Sequence, residues 1–268
     1  MSNIPTSAQI QSTHTENTYG KIKDKVAVIT DTKYTPQLIP LILHYHAVLG
    51  PGWPIVFFTS EELIANHLTD LKVLSGPWQQ AIKEKRIELR TVPHAYNLTS
   101  RDGVNVYLSR PWLYEQLAPA QHVLIFQADA ILCANSPHRV DDFLKYDFVG
   151  PLIGPRKKIY NGGLSLRNRT MILDILREGN NWEKSLERKQ KNIGEDGWFS
   201  RRMADRRANL PEKGVALRFA LQYKWQLDTS ARPLGYHKIQ KNAPEMMDEI
   251  AAWCPEIILT KAGTLESV

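Results

Sequence analysis

The stretch VLIFQADAILC, residues 123–133, combines an unbroken apolar run with a carboxylate, Asp129. A succession of Val, Leu, Ile and Phe is typical of a strand that is buried on both faces, as in a parallel sheet. In open α/β sheets, ligands bind beyond the carboxyl ends of such strands. We therefore expect Asp129 to lie at a strand end, where it either binds a ligand or caps a turn or helix.

Strand and helix patterns alternate on the amino-terminal side of this stretch. Three further runs rich in apolar and β-branched residues are predicted strands, namely 25–30, 53–59 and 86–92. Helix patterns follow two prolines, Pro36 and Pro111, each preceded by a capping residue. The alternation predicts a mostly parallel, twisted α/β sheet with flanking helices.

Length and composition indicate one domain. The 268 residues, 43% of them hydrophobic, can bury one large core. Residues 1–20 are rich in Ser, Thr, Asn and Gln and are predicted to form a disordered tail, which leaves 21–268 as the folded domain. Cys133 and Cys254 lack C-x-x-C spacing, so a zinc site is not expected, and a single bridge stays open.

Charge and hydropathy bear on partners and location. The net charge of +6 suits a polyanion, an anionic membrane surface or a phosphorylated small molecule. The basic run 201–207 follows helical spacing without interleaved aromatic residues, so we predict a solvated face and no nucleic-acid partner. No secretory leader and no membrane span of ~18 apolar residues is recognisable. We therefore expect a soluble, cytoplasmic protein in a reducing compartment.

Three groups of segments carry a family resemblance. They are FQADAILC (126–133), YNGGLSLRNR (160–169) with IGEDGWFS (193–200), and PLGYHK (233–238). In this order they resemble the GT-A glycosyltransferases, and more narrowly a family of glycosyltransferase-like proteins of fungi and bacteria catalogued as a domain of unknown function. The resemblance runs from about Lys25 to Lys238. It implies a GT-A-like, Rossmann-like fold and transfer of a sugar from a nucleotide-sugar, UDP- or GDP-linked, to a hydroxyl of a small molecule or glycan.

The resemblance also implies a divalent-metal site. Asp129 matches the last acid of the family's D-x-D motif, whereas Gln127 replaces the first acid. His237 resembles the late histidine that binds the metal, and Lys238 would lie near the diphosphate. Mn²⁺ or Mg²⁺ would suit such ligands. The alternative for His237 is an ordinary surface histidine.

Further residues are implied contacts of the donor. The segment with Asn161, Gly162 and Gly163 resembles the strand under the donor sugar, although a tight turn explains the glycines equally well. The remaining positions follow the first strand or precede Pro111, and they are implied to contact the nucleotide: Thr30, Asp31, Lys33 and Arg110. A solvated arginine at a helix start is the alternative for Arg110.

The pair Glu195-Asp196 resembles the E-D motif of inverting families such as the β-1,4-galactosyltransferases. The resemblance implies that Asp196 is the general base for the acceptor hydroxyl, that Glu195 hydrogen-bonds the acceptor, and that the reaction inverts the anomeric centre. The alternative is that both acids merely begin a helix and favour its dipole. A second class of function is a non-catalytic nucleotide- or sugar-binding module, which Gln127 favours. Binding of nucleic acid or an anionic membrane ranks last.

Overall fold

The computed structural model describes residues 21–70, 74–154, 158–179, 182–183, 194–227 and 232–260. The predicted tail, 1–20, lies outside these ranges. The boundary of the folded domain therefore stays a prediction.

A six-stranded sheet forms the centre of the described part of the chain, in the order β3-β2-β1-β4-β7-β6. Its strands are β1 (Lys25–Thr30), β2 (Ile55–Thr59), β3 (Ile87–Thr91), β4 (His122–Phe126), β6 (Phe148–Val149) and β7 (Leu164–Asn168). The first four are parallel, whereas β7 runs antiparallel to β4 and β6 antiparallel to β7. The predicted mostly parallel α/β sheet is confirmed.

Helices cover the sheet. The described α-helices are α1 (Leu38–Leu49), α2 (Glu61–Leu63), α3 (Gly76–Lys83), α4 (Arg101–Leu108), α5 (Pro111–Glu115), α6 (Arg169–Arg177), α7 (Glu195–Asp205), α8 (Lys213–Phe219), α9 (Ile239–Asn242) and α10 (Met247–Trp253). Pro111 takes the first position of α5, as expected. Helix α1 begins at Leu38, after Pro36, because the chain first forms a turn in which the Leu38 N–H donates to the Thr35 carbonyl.

Each central strand is buried on both faces. Ala27 and Ile29 of β1 belong to one apolar cluster, whereas Val26 and Val28 belong to another. Side chains alternate across a strand, so the two clusters are the layers above and below the sheet. This explains why residues 123–126 are apolar without interruption.

A smaller sheet, in the order β5-β9-β8, lies beyond the carboxyl end of β4. Its strands are β5 (Ala130–Leu132), β8 (Ala220–Leu221) and β9 (Gly235–His237). Strand β9 is antiparallel to β5, with Ala130 opposite His237. The chain that follows Asp129 therefore pairs directly with the chain that ends in His237.

Cys133 and Cys254 form a disulfide between the end of β5 and the end of α10. The sequence left this pairing open. Disulfides persist in oxidising environments. The expected reducing compartment and cytoplasmic location stay predictions. Among the helices described, none is long and apolar enough to cross a membrane.

Candidate functional site

The carboxyl ends of β1 and β4 lie side by side because these strands are parallel neighbours, with Val28 opposite Ile125. Asp31 directly follows β1, and Asp129 comes shortly after β4. Burial raises the pKa of Asp31 to about 6, and the nearby charge of Asp129 adds to the rise. The two strand ends thus present two carboxylates to one region.

Asp129, His237 and Gln127 meet in this region. His237 Nε2 lies 3.3 Å from Asp129 Oδ1 and 3.3 Å from Gln127 Oε1. The backbone N–H of Lys238 donates to the Asp129 carbonyl at 2.9 Å, which fixes the end of β9 beside Asp129. The structure therefore brings together the two residues predicted to bind metal and the glutamine that replaces the first acid.

The cluster fits a divalent cation. Asp129 is only 9% exposed, and its Oδ1 is buried without a hydrogen-bond partner, although His237 Nε2 lies 3.3 Å away. Buried polar atoms rarely lack a partner. In the described ranges, no group of three or more His, Cys, Asp and Glu could hold a metal. The amide oxygen of Gln127 and oxygens from a bound ligand would therefore have to complete the coordination.

Lys238 supplies positive charge next to Asp129. Its Nζ lies 3.9 Å from Asp129 Oδ2. Burial raises the pKa of Asp129, but the neighbouring His237 and Lys238 outweigh this effect, so the pKa of Asp129 lies below its usual value. Lys238 adopts a left-handed backbone conformation, with φ of 52°. Such conformations are strained in residues other than glycine and persist only where the surroundings hold them.

The elevated pKa of Asp31 predicts a pH-dependent stability. The folded chain holds the Asp31 proton up to about pH 6, whereas the unfolded chain releases it near 3.8. Stability is therefore lost as pH rises between these values. Asp31→Asn should raise the free energy of unfolding by up to about 2 kcal/mol at pH 7.5, because it removes the cost of ionising Asp31. This figure is reduced for the partial exposure of Asp31, and the gain should be small near pH 4. Denaturant unfolding at both values measures this, and an equal gain at both would refute it.

The two glycines before β7 make room for the surrounding side chains. A Cβ on Gly163 would lie 2.1 Å from His237 Nε2 and 2.6 Å from Gln127 Oε1. A Cβ on Gly162 would lie 2.5 Å from Arg167 Nη2 and 3.1 Å from Asp196 Cβ. Neighbouring side chains leave no room for a Cβ at either glycine. This is a structural reason for both glycines, and their role under a donor sugar stays a prediction. They also join the Asp129–His237 cluster to Asp196.

Gly163→Ala should weaken Mn²⁺ binding at least about tenfold, because the added methyl group must displace the His237 ring. Isothermal titration with Mn²⁺ measures this effect. Gly214→Ala is the matched control, since a Cβ there meets nothing within 4 Å. Equal Mn²⁺ affinity in the two variants would show that His237 takes no part in binding.

Asp196 stands at the start of α7 next to the glycine segment. Its Oδ2 accepts the Gly162 N–H at 2.9 Å, and its Oδ1 accepts the Gly197 N–H at 2.6 Å. The side chain is partly exposed. Glu195 and Asp196 do occupy the first turn of the helix, as the alternative interpretation predicted. The role of Asp196 as a base stays a prediction.

Glu195 is held differently from its neighbour. It is 2% exposed, and its Oε1 accepts a hydrogen bond from Arg167 Nη2 at 2.7 Å. Arg167 is fully buried and also donates to Ser165 Oγ and to the Tyr114 hydroxyl, both at 2.9 Å. Burial raises the pKa of Glu195 to about 7, although Arg167 opposes the rise. The predicted contact of Glu195 with an acceptor has no support in this geometry, because a buried guanidinium requires an anion of its own.

Two buried residues of the site escaped sequence reasoning. Asn105 Oδ1 accepts the Glu195 N–H at 3.1 Å and so ties α4 to α7. Gln222 Oε1 lies 3.0 Å from His237 Nδ1. No local motif marks either residue, because each finds its partner only after distant segments fold together.

The other predicted contact residues are spread around the strand ends. Thr30 Oγ1 lies 3.2 Å from the Tyr107 hydroxyl, and Asp31 Oδ1 accepts the Lys33 N–H at 2.8 Å. Asn161 Oδ1 accepts the Gly163 N–H at 2.8 Å. Arg110 pairs with Glu183 instead of with another predicted site residue.

A family model described as "Protein of unknown function (DUF5672)" matches residues 86–237, more than half of the chain. The chain belongs to the DUF5672 family. The matched region of this DUF5672 protein includes Gln127, Asp129 and Asp196 and ends at His237. The cluster at the strand ends therefore lies within the family region.

Two solved structures of glycosyltransferases match this chain, and one of them is similar in fold. The apo-form glycosyltransferase GlyE of Streptococcus pneumoniae TIGR4 matches with a TM-score of 0.51 and 12% identity, over 82% of this chain and 55% of that one. The mannosyltransferase PcManGT of Pyrobaculum calidifontis, in complex with GDP-Man and Mn²⁺, matches with a TM-score of 0.35 and 14% identity, over 58% of this chain and 46% of that one. The first likeness alone bears on the fold. The chain thus spans about half the length of these structures, and no curated protein matches it.

Proposed function

We propose that this DUF5672 protein is a glycosyltransferase that moves a sugar from a UDP- or GDP-linked donor to a hydroxyl of a small molecule or glycan. One observation carries the proposal. Oxygen and nitrogen acceptors of Asp129, Gln127 and His237 converge beyond the end of β4, and the adjacent glycine segment holds Asp196. This arrangement would separate the leaving group, beside Asp129, from the nucleophile, beside Asp196.

The donor side consists of the cluster and its flanks. Asp129, His237 and Gln127 would hold Mn²⁺ or Mg²⁺, which would neutralise charge on the departing diphosphate. Lys238, with its Nζ near Asp129, would add a second positive charge at the same place. Thr30, Asp31 and Lys33 follow the neighbouring strand and would contact the nucleotide. Arg110 is assigned a weaker role because Glu183 already pairs with it.

The acceptor side centres on Asp196. Two backbone N–H groups hold its carboxylate in place. The partly exposed oxygens would take the proton of the acceptor hydroxyl as the new bond forms. A base on the acceptor, with no carboxylate acting as a nucleophile, gives inversion. Glu195 would stabilise the start of α7 through its buried pair with Arg167.

A titration of nucleoside diphosphates tests the donor side. UDP or GDP should bind with Mn²⁺ and raise the Tm, because a ligand that binds the folded state stabilises it. The same nucleotides with EDTA should leave the Tm unchanged. Equal shifts with and without metal would show that the cluster does not bind nucleotide through a cation.

A non-catalytic binding module on the same fold is the second candidate. Gln127, a neutral amide where the D-x-D motif has an acid, favours it because an amide oxygen binds a divalent cation less strongly than a carboxylate. The two functions differ in turnover. Donor binding without release of nucleoside diphosphate would support the binding module.

A further inference from the structure

Gln222 contacts the Nδ1 side of the His237 ring, and hydrogen bonds hold its backbone. It follows β8, is 4% exposed, and its backbone N–H donates to Gln226 Oε1 at 2.6 Å. Its carbonyl accepts from Asn242 Nδ2 at 3.0 Å. Both backbone groups are therefore bonded, and the side-chain Oε1 of Gln222 lies 3.0 Å from His237 Nδ1.

This contact determines where His237 carries its proton. The Gln222 carbonyl oxygen can only accept a hydrogen bond, so Nδ1 must donate. A neutral imidazole has a single N–H, and its Nε2 is then left with a lone pair. That lone pair faces Asp129 Oδ1 and Gln127 Oε1, two further acceptors. With Nε2 unprotonated, these three acceptors have no hydrogen to share. A cation bound among them would satisfy all three.

We propose that Gln222 is a positioning residue that holds His237 as its Nδ1–H tautomer and keeps Nε2 free to bind a cation. The glutamine does not itself touch the cation or the donor. It acts as outer-shell partners of metal-binding histidines do, by fixing the ring and its tautomer. This inference rests on the proposed cation site, but its main test requires neither metal nor substrate.

The tautomer can be read in the metal-free protein. Protonated and unprotonated imidazole nitrogens have well separated ¹⁵N shifts, and a His237→Gln variant identifies the His237 signals among the eight histidines. At pH 8, the wild type should show a proton on Nδ1 and none on Nε2. The competing arrangement, in which Nε2–H donates to Asp129, gives the opposite pattern. A proton on Nε2, alone or together with Nδ1, overturns the proposal.

Substitutions then test whether Gln222 is the cause. Gln222→Met keeps the volume but removes the acceptor, so the proton should move to Nε2 and Mn²⁺ affinity should fall about 10–100-fold. Gln222→Glu retains an acceptor and should keep the Nδ1 proton, with Mn²⁺ affinity within a few-fold of the wild type. If Gln222→Met fails to fold, the wild-type spectrum and the glutamate variant decide.

Gln240→Met is the control. Gln240 is a half-buried glutamine whose Nε2 donates to the Thr260 carbonyl at 3.2 Å, and that bond involves neither Gln222 nor His237. This substitution should leave the His237 tautomer and the Mn²⁺ affinity unchanged. An unchanged tautomer or an unchanged Mn²⁺ affinity in Gln222→Met would overturn the proposal. Because the spectra are taken without donor or acceptor, failure of sugar transfer would not affect this result.

Discussion

Asp129→Ala should weaken Mn²⁺-dependent binding of UDP or GDP by more than about 100-fold, because it removes the one carboxylate among Asp129, His237 and Gln127. Loss of a direct ligand should weaken binding more than loss of an outer-shell partner, which costs about 10–100-fold. The fold should survive, because the backbone of Asp129 makes the hydrogen bond to Lys238 and the side chain is paired only at 3.3 and 3.9 Å. Titration calorimetry with and without Mn²⁺ measures the effect.

The matched control for this substitution is Asp174→Ala. Asp174 is an exposed acid on α6 whose ion pair, within the described ranges, is with Arg177, three residues on. Its removal should leave nucleotide affinity unchanged, because exposed pairs contribute little. If Asp129→Ala bound Mn²⁺ and nucleotide as tightly as Asp174→Ala, Asp129 would not be a ligand.

Asp196→Asn should lower kcat by ~10²-fold or more while donor affinity stays nearly constant, because the amide keeps the size of the side chain but cannot accept a proton. The amide oxygen of Asn can accept from the Gly162 N–H or the Gly197 N–H but not from both, because the two bonds go to different carboxylate oxygens, so the Tm should fall modestly. Steady-state kinetics with a fixed acceptor measure the change. An unchanged kcat would move the base elsewhere.

Glu195→Gln separates the two neighbouring acids. It leaves the buried Arg167 without a charged partner, and such a loss destabilises the folded state. We expect a lower Tm, with kcat per folded molecule largely retained. A wild-type Tm with an altered KM for the acceptor would instead restore the role that sequence alone predicted for Glu195.

The strand ends could be predicted from sequence because local patterns determine them. Unbroken apolar runs identified β1, β2 and β4, and a parallel sheet places their carboxyl ends at one edge, which brings Asp31 near Asp129. The antiparallel direction of β7 was not predicted, because the segment before it shows only a glycine pair. That direction is what returns Gly162 and Gly163 to the site.

The partners of buried polar groups could not be predicted. Arg167 appeared as part of a strand motif, yet it is fully buried and holds Glu195. Gln222 lies in no recognisable motif. It contacts His237 only because β8 pairs with β9. Such pairs depend on long-range packing, whereas sequence patterns report mainly local periodicity.

Release of nucleoside diphosphate from UDP- and GDP-linked sugars tests most directly whether the chain transfers sugar. In the absence of an acceptor, water takes its place, and slow hydrolysis reports activation of the donor. We predict Mn²⁺-dependent release from at least one donor by the wild type, and none above background by Asp129→Ala. If nucleotide-sugars bind to the wild type but none is cleaved, with or without candidate acceptors, the proposed glycosyltransferase activity is contradicted.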